Sequence, residues 1–221
     1  MLTVVGNLKG GTGKSTVAFN LAVWLAHDKT GVMAFDLDPQ CTLVDVCDVR
    51  AEDGYEPSFE VSTNLAELET RVLDTKRTKP IITDISVGNM PAMEKAIYLA
   101  DRILIPVQPS QADIWSTQRF LKIVRNNMNN DKKPEVLGFI NRADTHIGIR
   151  ETDEAEKALQ MMPGITPLNI RLYQRTAYRR SFSEGLSVFE LDPMGKASKE
   201  MQQLATMLDV VPAATVISDC P

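Results

Sequence analysis

A glycine-rich loop between a short apolar run and a longer apolar segment restricts the possible folds more than any other feature of the sequence. Residues 6–16 read GNLKGGTGKST, after the strand-like run Leu2–Val5 and into the helix-like run Lys14–His27. Glycines allow several backbone N–H groups to turn toward one anion, and the N-terminus of the following helix adds the positive end of its dipole. A strand, loop and helix in this order are typical of a phosphate-binding loop.

The side chains of this loop suit a nucleotide bound together with Mg²⁺. Lys14 can reach the β- and γ-phosphates, the Ser15 hydroxyl can ligate Mg²⁺, and Thr16 helps to hold a phosphate. The alternative is a glycine-rich turn with an exposed lysine, which the spacing disfavours. The nucleotide-binding residues predicted from this pattern are Gly10, Gly11, Thr12, Gly13, Lys14, Ser15 and Thr16.

Short apolar runs alternate with longer amphipathic ones along most of the chain, which predicts a doubly wound α/β fold. This is a mainly parallel sheet with helices on both faces, as in P-loop nucleotide-binding proteins. The predicted strands are Leu2–Val5, Val32–Phe35, Ile81–Thr83, Ile103–Val107, Val136–Ile140 and Thr166–Ile170. The predicted helices are Lys14–His27, Asn64–Lys76, Ala92–Ala100, Gln111–Met128, Glu151–Met161, Gln174–Ser183 and Lys196–Leu208. We expect one domain over residues 1–209 and a flexible tail over residues 210–221, which holds two prolines and no helical period.

Composition narrows the class of protein further. The 221 residues are 43% hydrophobic, enough for a full core, and the net charge is −5, which argues against a surface coated with basic residues. The three cysteines form no C-x-x-C pair, so the sequence predicts neither a zinc site nor a thiol–disulfide motif. No run resembles a signal peptide or a membrane span, and we expect a cytoplasmic protein.

Acidic residues follow two of the predicted strands. Asp36 and Asp38 lie in the run DLDPQ after the second strand, and Asp84 ends the third. The carboxyl ends of parallel strands meet at one edge of a sheet, so these carboxylates are expected beside the glycine-rich loop. There they could hold Mg²⁺ through water or orient an attacking water, whereas DLDPQ taken alone could equally be a capped turn.

The loop resembles the deviant Walker A motif of the ParA/MinD superfamily of ATPases. It matches K-G-G-x-G-K-[ST] in full, although Leu8 replaces the glycine of the strict P-loop pattern. The resemblance implies that Lys9, otherwise a solvated charge, crosses a dimer interface to the nucleotide of the partner subunit. Leu8 favours the partition branch of the superfamily.

The later segments extend this resemblance. DLDPQ is similar to the switch I segment, which implies that Asp38 positions the hydrolytic water and that Asp36 lies near Mg²⁺. Asp84 would bind Mg²⁺ through water as a Walker B residue, although Ser86 departs from the usual pattern that follows. The resemblance also implies catalytic roles for Lys9, Lys14 and Asp38, and metal roles for Ser15, Asp36 and Asp84.

The run Asn141-Arg142 after the fifth strand has a counterpart in the same superfamily, where it helps to bind adenine. The Asn141 amide can donate to and accept from a base edge, and the Arg142 guanidinium can stack on it. An asparagine turn after a strand is an equally good interpretation of the spacing.

Residues 171–180 read RLYQRTAYRR, a basic segment in an acidic chain. If the segment is helical, Arg171, Arg175 and Arg179 share one face at i, i+4 spacing, where they could contact DNA phosphates without reading sequence. A solvated helix face is the equal alternative. The stretch resembles the C-terminal segment of ParA proteins, and the predicted DNA-binding residues are Arg171, Arg175, Arg179, Arg180, Lys196 and Lys199.

The resemblance implies an ATP-driven switch that partitions or positions DNA or another cargo. The expected cofactors are ATP and Mg²⁺, and hydrolysis is expected to be slow and partner-stimulated. The expected partners are a second copy of the chain, non-specific DNA and a ParB-like, centromere-binding or cargo-binding adaptor, and no membrane. No DNA-binding extension precedes the first strand, so sequence-specific recognition is expected from the adaptor, with the protein at the nucleoid.

Four alternatives remain open. A MinD-like membrane ATPase would need a basic amphipathic C-terminal helix, but Val210–Pro221 holds no Lys or Arg. A metabolic P-loop kinase or ligase is disfavoured by Lys9 and the DLDPQ run. An iron–sulfur carrier would need paired bridging cysteines. A non-enzymatic scaffold would not need Lys14, Asp38 and Asp84.

Overall fold

A computed structural model describes residues 1–27, 30–74, 76, 78–129, 131–146 and 150–208. In this part of the chain, seven strands form one sheet in the order β3-β2-β4-β1-β5-β6-β7. Every strand pair is parallel, which confirms the predicted doubly wound α/β fold. The predicted tail, residues 210–221, lies outside the described residues, and the extent of the domain stays a prediction.

The strands include all six predicted runs and one more. They are β1 (Leu2–Val5), β2 (Met33–Asp36), β3 (Val61–Ser62), β4 (Ile81–Asp84), β5 (Arg102–Val107), β6 (Glu135–Ala143) and β7 (Thr166–Tyr173). The unpredicted β3 is a two-residue edge strand, too short to produce an alternating pattern. β7 runs three residues beyond the predicted end at Ile170.

Nine helices accompany the strands in the described ranges. They are α1 (Lys14–Ala26), α2 (Thr42–Glu52), α3 (Leu65–Leu73), α4 (Met90–Leu99), α5 (Gln111–Asn127), α6 (Glu151–Gln160), α7 (Thr176–Ser183), α8 (Val188–Leu191) and α9 (Lys196–Met207). α2 was not predicted, because it buries only Leu43, Val46 and Arg50 and therefore shows little apolar periodicity. A 3₁₀ turn over Val87–Asn89 precedes α4.

The sheet divides the core into two layers, one on each face. One layer contains α1, α8 and α9, where the Trp24 and Phe189 rings meet edge to face with centroids 5.3 Å apart. The other contains α4, α5 and α6, with Met93, Phe120 and Leu159 buried. Because every strand pair is parallel, the carboxyl ends of the strands form one edge, where loops can build a site.

The strand register places the acidic residues at that edge. Asp84 lies opposite Val5, the residue before the glycine-rich loop, and Asp36 lies opposite Asp84. Three strands therefore bring the loop and two carboxylates together. Among the described helices, none combines the length and the apolar character needed to cross a bilayer.

Candidate nucleotide-binding site

The backbone of the glycine-rich loop adopts conformations that favour glycine. Gly11 and Gly13 have φ angles of 75° and 88°, in the left-handed region. Gly13 is the N-cap of α1, and its carbonyl accepts the first helical hydrogen bond, from Val17 N at 2.9 Å. A Cβ atom at Gly13 would also lie 2.4 Å from Asn141 Nδ2. Conformation and close approach therefore both require glycine at this position.

Three side chains, one from the loop itself and two from neighbouring strands and their loops, hold the loop in place. Buried Asn7 donates through Nδ2 to the Pro106 carbonyl at 3.0 Å. Gln108 donates to the Gly11 carbonyl at 2.5 Å, and Asn141 donates to the Thr12 carbonyl at 2.6 Å. The loop is thus fixed before any ligand binds. Asn7 and Gln108 were not predicted as site residues; the available signal was a polar residue just after a buried strand.

A cavity of about 470 Å³ lies over the loop, a size suited to a small-molecule ligand. Eight predicted site residues line it: Gly10, Gly11, Gly13, Lys14, Ser15, Thr16, Asp38 and Arg142. The sequence did not predict the other lining residues, which are Leu8, Pro39, Gln40, Thr42, Ser86, Val87 and Gly88. Lys9, Thr12, Asp36, Asp84 and Asn141 were predicted in the site but do not line the cavity.

The two lysines of the loop have different surroundings. Lys14 is 7% exposed, and its ammonium lies 3.5 Å from the Lys9 carbonyl oxygen. The Lys9 ammonium instead pairs with the fully buried carboxylate of Asp113 at 2.5 Å, in the first turn of α5. Ser110 also donates to this carboxylate. Lys14 therefore remains available to an anion in the cavity, while Lys9 is held by its own subunit.

Asp84 is a buried carboxylate without a hydrogen-bond donor. It is fully buried at the end of β4, and neither side-chain oxygen has a partner among the described residues. Burial raises the pKa of Asp84 to about 7, and the proximity of Ser15 and Lys14 opposes this shift. An uncompensated buried carboxylate is costly unless a cation is supplied. The residues present thus fit Mg²⁺, with Asp84 and the Ser15 hydroxyl as the groups that would hold it.

Asp36 and Asp38 differ in how they use their oxygens. Both Asp36 oxygens accept from backbone N–H groups: Oδ1 from Asp38 at 3.1 Å, and Oδ2 from Leu43 at 2.8 Å and Val44 at 3.1 Å. Burial raises the pKa of Asp36, and these hydrogen bonds oppose the shift. Asp36 therefore caps α2 and shapes the loop. Asp38 accepts from Gln40 N at 3.0 Å and lines the cavity. The role of Asp36 near Mg²⁺ and the role of Asp38 in positioning water stay predictions.

The predicted base-binding pair is split by the structure. Asn141 is 7% exposed, and its amide nitrogen supports the loop. Arg142 is exposed, lines the cavity and has a left-handed φ of 55°, a strained value for arginine. Cys41, between the cavity-lining residues Gln40 and Thr42 in sequence, has a similar φ of 52°. Such strain is concentrated at functional sites. Adenine binding by either residue of the pair stays a prediction.

Two loops approach each other across from the glycine-rich loop. Ser86 Oγ accepts from Gly88 N at 3.2 Å and caps the 3₁₀ turn. A Cβ atom at Gly88 would lie 3.1 Å from Pro39 Cδ. The loop after β4 therefore packs directly on the loop after β2.

The predicted helical face of arginines is wrong. Arg171 lies in strand β7, Arg175 is the N-cap of α7, and only Arg179 and Arg180 lie within that helix. The i, i+4 argument fails because it required a helix that includes Arg171, whereas the buried Leu172 keeps this part of the chain in the sheet. The DNA contacts predicted for these residues are untested.

Most of the arginines in this segment are paired with acids. Arg171 pairs with Asp153 at 2.8 Å and also with Glu156. Arg175 pairs with Glu200 at 2.6 Å, and Arg180 with Glu184 at 2.9 Å. The remaining predicted DNA-binding residues are exposed and form no ion pair within the described ranges; they are Arg179, Lys196 and Lys199. These three residues are named the free basic positions below.

The fold and the site together define a P-loop nucleotide-binding protein. Its features are a glycine-rich loop between β1 and α1, a buried lysine beside the cavity, and an unpaired buried carboxylate at the end of an adjacent strand. A model of the CobQ/CobB/MinD/ParA nucleotide binding domain matches residues 3–188. The chain belongs to this family and is a ParA/MinD-type P-loop ATPase.

Individual relatives agree with this assignment. The chain is 26% identical over 215 residues to maintenance of carboxysome distribution protein A of Halothiobacillus neapolitanus, and the match covers 95% of each chain. It is 28% identical over 197 residues to protein ParA of Rhizobium radiobacter, which covers 83% of each.

Solved structures show the same fold. An ATP complex of a variant of Cyanothece McdA has a TM-score of 0.72 at 18% identity, covering 95% of this chain and 96% of that one. The septum site-determining protein MinD of Pyrococcus horikoshii, in complex with Mg-ADP, has a TM-score of 0.70 at 18% identity, covering 99% of both chains.

Proposed function

We propose that this protein is an ATP-dependent dimerising switch that positions a DNA molecule or a protein cargo by binding non-specific DNA. The observation that carries the proposal is the pair of unsatisfied groups in the site. Lys14 is buried beside the cavity with only a long contact to a carbonyl, and Asp84 is buried with no partner in the described ranges. A triphosphate with Mg²⁺ would supply the missing charge to both.

The chemistry follows from the positions of the side chains. Backbone N–H groups of residues 10–16 and the N-terminus of α1 bind the phosphates, and Lys14 neutralises their charge. Mg²⁺, when bound, neutralises phosphate oxygens. Asp38 lines the cavity and orients the water that attacks the terminal phosphate. Hydrolysis is slow, because the described residues of one subunit place only one further cation in the cavity besides Lys14, namely Arg142.

Dimerisation depends on Lys9. In one subunit the Lys9 side chain is 41% exposed at the rim of the loop, and Asp113 holds it away from the cavity. A second subunit that presents a nucleotide across this rim would offer the Lys9 ammonium a more negative partner. The ATP-bound dimer would then bring the free basic positions of two subunits together. This doubles the number of cations that can contact DNA phosphates.

The relatives support a positioning role and offer more than one cargo. Maintenance of carboxysome distribution proteins and a ParA protein both match this chain over most of its length. A plasmid, a chromosome or a protein compartment would use the same ATP cycle. We propose that an adaptor bound to the cargo stimulates hydrolysis, and that the dimer is associated with the nucleoid until ADP releases it.

The test compares nucleotide, oligomeric state and DNA binding in one sample series. We expect a monomer without nucleotide or with ADP, and a dimer with Mg-ATP or a non-hydrolysable analogue, measured by light scattering after size exclusion. DNA binding should appear only with the dimer. A protein that binds ATP but stays monomeric and free of DNA would refute the switch, whereas failure to bind ATP would refute the site itself.

A further inference from the structure

The exposed face of α5 differs from the other surfaces described above in both charge and apolar character. Its exposed residues recur with helical spacing and are named the α5 face: Trp115, Gln118, Arg119, Lys122 and Arg125. The indole of Trp115 is 54% exposed, which is unusual for the largest apolar side chain. The face is outside the nucleotide cavity, so the proposed ATP cycle does not account for it.

The charge of the α5 face has one sign. None of Arg119, Lys122 and Arg125 forms an ion pair with another residue of the described chain. The helix contains one acid, Asp113, whose carboxylate is buried and faces Lys9. By contrast, Arg171, Arg175 and Arg180 all pair with acids, although they lie in a more basic stretch of sequence. In a chain with a net charge of −5, three cations left unpaired on one helix face mark it for an anionic partner.

A groove lies between the α5 face and the segment that follows α6. It has a volume of about 460 Å³, and its walls are Trp115, Gln118, Arg119, Leu121, Lys122, Arg125, Met162 and Pro163. Among the described residues, no carboxylate lines it. Met161, next to the groove in sequence, is 80% exposed. The groove therefore combines an aromatic and aliphatic wall with a positively charged rim.

We propose that the α5 face is the docking surface for an acidic amphipathic helix of a partner protein. Carboxylates spaced three and four residues apart on that helix would face Arg119, Lys122 and Arg125. An apolar side chain between them would fill the groove against Trp115 and Pro163. Tryptophan, methionine and arginine are the side chains enriched where proteins bind one another.

Duplex DNA fits this surface less well than an acidic helix. Phosphates would pair with the cations, but the bases of a duplex are stacked inside it and cannot fill the groove beside Trp115. Lys196, one of the free basic positions, instead lines a cavity whose described lining includes the acid Asp192 and no aromatic residue. The two basic surfaces therefore have different partners, and the α5 face goes beyond the proposed function by giving the partner's chemistry.

The location of the surface connects it to the loop. Trp115 is two residues after Asp113, the carboxylate that holds Lys9. A partner bound along α5 would lie on the same helix as the counterion of Lys9. Docking itself requires neither nucleotide nor dimer, so it can be measured without them.

The experiment uses the full chain and a synthetic probe. The probe is a 20-residue peptide of Ala, Leu and Glu with leucines on one helix face and glutamates on the other, and its control is a peptide of the same composition in scrambled order. Trp115 emission reports binding, because the second tryptophan, Trp24, is buried at 6% exposure. Fluorescence anisotropy of a labelled peptide measures the same binding independently.

We expect a saturable change in emission with the amphipathic peptide and none with the scrambled one. Lys122→Glu should weaken binding at least about tenfold, because it removes one favourable charge contact and adds one repulsion. Lys157→Glu, a matched change at an exposed position of α6, should leave binding within about twofold. Trp115→Phe should remove the emission signal and weaken, without abolishing, the anisotropy signal.

Four outcomes would overturn the proposal. Equal binding of both peptides, or equal effects of Lys122→Glu and Lys157→Glu, would show that net charge alone attracts the probe. A Trp115 response to duplex DNA or anionic vesicles, but not to the peptide, would assign the face to those ligands. A response to ATP-induced self-association alone would assign it to a second copy of the chain. ATP binding measured in the same samples separates these failures from failure of the nucleotide site.

Discussion

Two groups of charged residues in this molecule differ in how completely their charges are paired. At the carboxyl edge of the sheet, Asp84 is buried with no partner among the described residues, and Lys14 has only a carbonyl at 3.5 Å. Near the C-terminal helices, buried Arg50 donates to the Gly185 carbonyl at 3.1 Å and pairs with Glu190 at 2.7 Å. The first group is complete only with a ligand, whereas the second is complete without one. Unpaired burial therefore marks a binding site better than charge alone.

The largest effect is expected where pairing is complete. Arg50→Ala removes donors from Glu190 and from the carbonyls of Pro57 and Gly185. Breaking a buried ion pair from one side costs about 3–5 kcal/mol. We expect the free energy of unfolding, measured in urea, to fall by that amount. Arg180→Ala breaks an exposed i, i+4 pair with Glu184 and should change it by about 0.5 kcal/mol or less.

The same pair predicts a pH dependence. His27, whose Nε2 lies 3.4 Å from Glu190, and hydrogen bonds from Arg50 hold the pKa of Glu190 down to about 2, against opposing burial. Because the folded-state pKa is lowered, the stabilisation is fully present above about pH 4.5 and is lost as the pH falls toward 2. Arg50→Ala should flatten this acid limb of the unfolding profile. An unchanged limb would mean that Glu190 is not coupled to Arg50.

A somewhat smaller effect is expected for ATP binding in Lys14→Ala. Loss of a charged hydrogen bond to phosphate costs about 3 kcal/mol, or about 100-fold in Kd, measured by calorimetry with Mg-ATP. Lys9→Ala is the matched control, since Asp113 holds Lys9 outside the cavity. It should keep monomer affinity within about threefold while preventing ATP-dependent dimerisation. Equal losses in both variants would contradict the division of roles between the two lysines.

Replacing the unpaired carboxylate should stabilise the protein without nucleotide. The pKa of Asp84 is about 7 in the folded chain against an ordinary value of 3.8, so its ionisation lowers the free energy of unfolding by about 4 kcal/mol. An unpaired buried amide in its place would lower the free energy of unfolding by about 2 kcal/mol. Asp84→Asn should therefore raise the free energy of unfolding by about 2 kcal/mol at pH 8.

The pH dependence identifies the group responsible. The pKa of folded Asp84 is raised, so the wild-type protein is free of the penalty below about pH 4 and loses stability as the pH rises to about 7. Asp84→Asn should lack this loss and also lack the stabilisation that Mg²⁺ adds in the presence of ATP. A variant less stable than the wild type at pH 8 would show that the carboxylate has a partner.

The smallest effect concerns the proposed DNA surface. Arg179→Ala removes one free basic position and should lower the slope of log affinity against log salt by about 1, with ATP present. Arg175→Ala should leave the slope unchanged, because Glu200 already neutralises that arginine. Equal changes would mean that the ion pairs of this segment open on DNA.

The sequence predicted the nucleotide loop well because its signal is local. Gly13, Lys14 and Ser15 are adjacent in the chain, and their roles follow from backbone conformation and helix polarity. Asp84 was also predicted to lie beside them. It ends a predicted strand, and the carboxyl ends of parallel strands meet at the edge of the sheet where the loop lies. Its missing hydrogen-bond partners became visible only in the structure.

Other residues could not be predicted because their partners are distant in the chain. Asn141 supports Thr12 from 129 positions away, and Asp36 caps a helix that has little apolar periodicity. The basic segment was misjudged for a related reason. Arginines spaced by four share one face only if the segment is helical, but the packing of Leu172 in the core extends β7 through the first of those arginines.

The residues around the nucleotide cavity come from widely separated parts of the chain, from Leu8 to Arg142. A ligand that touches them together can bind only after most of the sheet has assembled. Nucleotide at about 100 times its Kd would therefore add about 2.7 kcal/mol to the stability of the whole domain by mass action. Cellular ATP would thus act as a folding ligand, and chains in the ATP state should resist proteolysis at sites far from the cavity.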